Sequence, residues 1–114
     1  MTKEELDKVE KQLTEHGYRK ISGCKYKNSD DYEYYKSFRD KEDLKYQIFF
    51  EVWNFEKYQH GAGYSVSVSV MPESVRDNVG RRDLQLFVDW STDIERVEKA
   101  AEMFYDFVKQ IDKL

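Results

Sequence analysis

The chain has 114 residues, of which 37% are charged and 16% aromatic, with a net charge of -4. That length fits one domain and leaves no room for two ordinary ones, and the mild acidity disfavours general attraction to nucleic acid or anionic membranes. A mean hydropathy of -0.90 borders on disorder, but disordered chains are poor in aromatics, and nine Tyr, seven Phe and two Trp give this one enough ring surface to bury.

Thr2-Lys3-Glu4-Glu5 has the form of a capping box, in which a hydroxyl and a carboxylate satisfy the free amide donors at a helix start. Leu6, Val9 and Leu13 recur at helical spacing, and Gly17 supplies a stop. The stripe is thin, so this helix is expected at the edge of the domain. Tyr18–Lys27 reads as a first strand, interrupted by Gly23, and Asn28-Ser29-Asp30-Asp31 as a turn. Tyr32–Arg39 is a second strand with Tyr32, Tyr34 and Phe38 on one face and Tyr35 on the other.

Leu44–Tyr58 is the longest strand and is expected at the centre of the sheet, because both of its faces carry bulky residues. Leu44, Tyr46, Ile48, Phe50 and Val52 form an apolar set. The alternate set begins polar with Lys45 and Gln47, then carries Phe49, Trp53 and Phe55. Gln59-His60-Gly61-Ala62-Gly63 leads to the cleanest alternation in the chain: Tyr64, Val66, Val68 and Val70 against Ser65, Ser67 and Ser69, ended by Met71-Pro72. A charged loop, Glu73–Arg82, precedes a fifth strand, Asp83–Trp90, with Leu84, Leu86, Val88 and Trp90 inward and Phe87 outward. Thr92-Asp93-Ile94-Glu95 is a second capping-box pattern. It opens a helix whose stripe is Ile94, Val97, Ala101, Phe104, Val108 and Ile111.

Every strand-to-strand connection is too short for a helical crossover, so the sheet should be antiparallel. The expected fold is α+β and spans residues 1–114 as a single domain. It is a five-stranded antiparallel meander with N- and C-terminal helices packed on one face, in the order α-β-β-β-β-β-α.

The chemistry-bearing residues are few. His16 ends the first helix, where a partly positive ring suits the dipole. His60-Gly61-Ala62-Gly63 resembles an oxyanion-hole loop only superficially, because Gly63-Tyr64-Ser65-Val66-Ser67 is not a nucleophile elbow. Cys24, His60, Asp30 and Asp31 have no metal-ligand spacing, so neither a metal nor a cofactor is expected. The lone cysteine also excludes an intramolecular disulfide. Three arginines, Arg76, Arg81 and Arg82, lie within one loop and form a candidate anion site. The stretch Asp30–Asp43 has six acids against Lys36, Arg39 and Lys41, which reads as a solvated edge that deters sheet aggregation. The start of the chain is charged and offers no apolar leader, and no segment approaches the roughly 18 apolar residues of a spanning helix. A cytoplasmic protein without a membrane partner is expected.

With both helices on the Tyr46/Ile48/Phe50/Val52 side, Tyr35, Phe49, Trp53, Phe55 and Phe87 fall on the open side of the sheet. Exposed aromatic surface marks contact sites, and Trp and Tyr are enriched in binding hot spots. The functional expectation is therefore a non-catalytic interaction domain that binds a protein partner, or a second copy of itself, through that face. One alternative is a small-molecule-binding or enzymatic domain with a pocket bordered by His60 and the Arg76–Arg82 loop. Another is a weak nucleic-acid binder using Arg76, Arg81 and Arg82, although Glu33, Glu51 and Asp89 on the open face would repel a phosphate backbone.

Overall fold

The computed structural model describes residues 1–22, 31–55, 63–73 and 84–113. Its elements are α1 (Lys3–Glu15), β1 (Arg19–Ser22), β2 (Tyr32–Asp40), β3 (Asp43–Asn54), β4 (Tyr64–Pro72), β5 (Leu84–Val88) and α2 (Ile94–Asp112). The five strands form one antiparallel sheet in the sequential order β1-β2-β3-β4-β5. This is the α+β meander read from the sequence, with β3 at its centre.

Strand periodicity sorts the side chains. Ile48, Phe50 and Val52 of β3 and Val66, Val68 and Val70 of β4 are at most 2% exposed. They meet Leu6, Val9 and Leu13 of α1 and Ile94, Val97 and Ala101 of α2 in one core, so both helices cover the same face. The stripe of α1 is thin, yet all three of its apolar residues are buried. Tyr18, just after α1, is packed edge-on against Phe50 with ring centres 5.4 Å apart.

The capping box of α1 is complete: the Glu5 amide donates to Thr2 Oγ1 at 3.2 Å, and the Thr2 amide donates to Glu5 Oε1 at 3.0 Å. That backbone bond is the main reason the exposed Glu5 carboxyl lies below its usual pKa. The second box is not formed as the sequence implies. Asp93, rather than Thr92, caps α2 by accepting from the Glu95 amide. Thr92 is drawn away by Asp89, whose backbone amide donates to Thr92 Oγ1 at 3.0 Å.

Carboxylates clasp both helices to the sheet. Glu10 of α1 accepts hydrogen bonds from the hydroxyls of Tyr32 and Tyr34 on β2, the latter at 2.9 Å. Glu98 of α2 accepts from Tyr18 at 3.2 Å and lies 3.5 Å from Lys36 Nζ. These clasps set neutral phenols against carboxylates. Burial first, and the adjacent carboxylates second, push Tyr18, Tyr32 and Tyr34 above the ordinary tyrosine pKa. The acidic reading of Asp30–Asp43 needs one correction. Asp31 is only 7% exposed and caps the end of β3 by accepting from the Asn54 amide at 3.1 Å. A buried carboxylate needs such a donor, so this aspartate is a structural brace rather than part of a solvated edge.

Candidate interaction face

The face opposite the helices is built from the alternate residues of each strand. Register aligns Tyr35, Phe49, Ser69 and Gln85 in one row across β2–β5. The next row is Glu33, Glu51, Ser67 and Phe87. Trp53 and Ser65 begin a further row, with Phe55 just past the end of β3. Helix cover is absent here among the described residues, and exposure is graded. Phe87 is 76% exposed, while Tyr35, Phe49, Trp53 and Phe55 are half-buried.

The half-burial comes from the rings shielding one another. Tyr35 and Phe49 are direct cross-strand partners and stack with centres 6.2 Å apart and planes inclined by 23°. Trp53 near the end of β3 and Phe55 just past it lie nearly parallel with centres 6.4 Å apart. The Trp53 indole N–H donates to Ser67 Oγ at 3.2 Å. Ser67 is the diagonal neighbour on β4, so the indole leans across the sheet and its orientation is fixed. Ser69 is small and sits between Phe49 and Gln85, which is why it is only 7% exposed on this side.

These placements leave a groove of about 500 Å³ along β4. Trp53 and Phe55 form one wall and Phe87 the other; Ser67 and Ser69 make the floor, and among the described residues Glu51 is the one ionisable lining group. Large rings on β3 and β5 with small serines between them make the hollow directly from the sequence alternation. The structure thus brings Trp53, Phe55 and Phe87 to one groove, while Tyr35 and Phe49 form a stacked pair beyond it. Lys45 does not join them. The β2–β3 register shifts between Phe38 and Arg39, and Lys45 Nζ lies 3.8 Å from Glu102 of α2, on the helical side. The bulge next to that strand end breaks the strict alternation on which its expected placement rested. Gln47 keeps to the open face and donates to Ser37 Oγ at 3.0 Å.

The sequence reading did not single out Ser67, Ser69 and Glu51 as a floor. Their alternation was legible, but which bulky rows would flank them depended on register. His60, Cys24, Asp30 and the arginines Arg76, Arg81 and Arg82 lie outside the described residues, and with them the expected anion site and the alternative pocket. His16 is described: its Nδ1 is 2.9 Å from the Gln12 carbonyl oxygen and its Nε2 is 4.0 Å from Glu95, a contact between the end of α1 and the start of α2. Among the described residues no group of three or more His, Cys, Asp or Glu side chains is placed to hold a metal ion. No described helix is long and apolar enough to cross a membrane.

No protein-family model matches the chain, and neither a curated protein nor a solved structure does.

Proposed function

We propose that this chain is a non-catalytic interaction domain whose open sheet face receives a segment of a protein partner. The carrying observation is the groove between the Trp53–Phe55 wall and Phe87, on the face that neither helix covers. Its rigid indole wall and apolar rim suit a large apolar side chain as the anchor. The energetic logic is that of a hot spot: a ring already fixed by Ser67 loses little rotamer freedom when a partner covers it.

The test is capture of a partner from the native host with wild type, Phe49→Ser, Trp53→Ser and Phe87→Ser, with circular dichroism recorded on each. Phe87 contributes least to the fold, since it is 76% exposed. Phe87→Ser should therefore keep the wild-type spectrum and melting point while losing the captured protein. Retention of the same partner by folded Phe87→Ser and Trp53→Ser proteins would overturn the reading. The groove volume also falls in the range of small-molecule sites. That second reading is separated by a thermal-shift screen, in which stabilisation by a metabolite that Trp53→Ser abolishes would favour it.

A further inference from the structure

A second uncovered surface lies on the helical side, and it differs in character from the groove described above. α2 packs chiefly on β3 and β4 and covers β5 less. Leu86 faces the helical layer but is 43% exposed, whereas its cross-strand partner Val68 is 1% exposed. The gap is a trough of about 340 Å³ between β5 and the α2 flank carrying Ala100, with Asp93 and Arg96 at one end. The same flank continues along α2 as Met103, Phe107 and Ile111, which are 72%, 62% and 42% exposed. Their spacing of four residues places them on one side of the helix, with Ile111 next to the buried stripe and Met103 farthest round from it. Ile111 therefore belongs to this outer stripe and not, as its spacing from Val108 suggested, to the core.

We propose that this flank is a homodimer interface, in which two copies pack through α2 and each trough receives large side chains of the other copy. Composition points to a second copy. Interfaces formed and broken repeatedly are about as apolar as the rest of a protein surface, whereas the homodimer interface is more apolar and poor in charge. The stripe Met103, Phe107 and Ile111 is apolar in a chain of which 37% is charged, and the charged pair Asp93 and Arg96 is confined to the end of the trough nearest the start of α2. The area also fits. At about 200 Å² for a large side chain, Leu86, Met103, Phe107 and Ile111 expose roughly 450 Å². That is more than half of the ~800 Å² per partner of a standard interface, before the trough and the polar rim are counted. A two-fold axis makes the patch face itself, so one stripe satisfies both copies.

Leu86 borders both this trough and the open-face groove, but the α2 stripe belongs to the trough side alone, so variants of Met103 and Phe107 test this proposal apart from the other. The experiment is solution mass by light scattering and sedimentation across the micromolar range, on wild type, Phe107→Glu, Met103→Glu and Phe87→Ser. Wild type should have twice the chain mass. Each glutamate variant should dissociate at a concentration at least ~30-fold higher, the effect of losing one hot-spot side chain, with an unchanged circular dichroism spectrum. Phe87→Ser should remain a dimer. The two glutamate positions are highly exposed, which guards against a misfolded variant being read as a dissociated one. A wild type that is monomeric throughout overturns the proposal. A dimer that survives both glutamates and is split by Phe87→Ser also overturns it, by assigning self-association to the open face.

Discussion

Glu10 is the most informative residue to remove, because its carboxylate joins α1 to the sheet through two phenols. Tyr34 is 6% exposed, so without Glu10 its hydroxyl is left buried with its acceptor gone. A hydrogen bond to a charged group contributes about 1.5–3 kcal/mol, and an orphaned buried hydroxyl costs about 1–3 kcal/mol. Tyr32 is half-buried and recovers part of its loss from water. Glu10→Ala should therefore destabilise the domain by about 2–4 kcal/mol, a large share of the ~5–15 kcal/mol typical of a small domain. Urea unfolding followed by circular dichroism and tryptophan fluorescence measures this, and the slope should be unchanged because the surface exposed on unfolding is the same. Tyr34→Phe removes the donor instead and should cost about 1 kcal/mol. Adding Tyr34→Phe to Glu10→Ala should cost nothing further, since it removes the orphaned hydroxyl, so the pair should be coupled by about 1 kcal/mol or more. A Glu10→Ala loss below ~0.5 kcal/mol, or strict additivity of the two changes, would refute the clasp.

The two described positive-φ glycines offer a controlled comparison. Gly17 (φ 83°) has open space where a Cβ would go, whereas a Cβ on Gly63 (φ 84°) would lie 2.6 Å from the Met1 carbonyl oxygen. Gly17→Ala should cost about 1–2 kcal/mol of left-handed strain. Gly63→Ala should exceed it by at least ~1 kcal/mol in urea unfolding, because it also disturbs the 2.9 Å bond from the Tyr64 amide to that oxygen; equal losses would mean the first residue yields freely. Alkaline pH should also unfold the domain. Burial, helped by Glu102 and Glu98, pushes Tyr46 up to about 12, and Tyr18, Tyr32 and Tyr34 move in the same direction. A raised folded pKa means that the native state holds the proton more tightly. Stability should be level below pH ~10 and fall as pH rises from there through the folded values. Tyrosinate absorbance should therefore rise in step with loss of the circular dichroism signal. Full titration of these rings near pH ~10 in a folded protein would contradict their burial.

Much of the fold was legible because it depends on local spacing. The Tyr46–Val52 alternation set the buried row, from which Leu44 drops out beyond the bulge, Tyr64–Val70 set its neighbour, and Thr2 with Glu5 marked the start of a helix. What escaped depends on contacts between distant residues. Glu10 and Glu98 look like ordinary solvated helix acids until the fold brings Tyr32, Tyr34 and Tyr18 beside them. Lys45 left its expected face because of a register shift near Phe38 on the neighbouring strand. Trp90 reads as the inward end of a fifth strand. That strand closes at Val88, and Trp90 stands 46% exposed in the following turn, with Lys8 Nζ 5.3 Å from its ring centre. For the interaction face, the aromatic rows could be read from alternation, but the groove required the cross-strand register that sets Trp53 and Phe87 on either side of the serines.

The strictly sequential strand order bears on how the chain reaches this state. Each strand pairs with the one synthesised just before it, so the sheet can grow hairpin by hairpin with small loop-closure penalties. α2, which follows all five strands, must travel back over β3 and β4 to seal them. Until it docks, the part of the valine row Val66–Val70 that α1 does not cover is open to water, and exposed apolar strands of that kind are a route to aggregation.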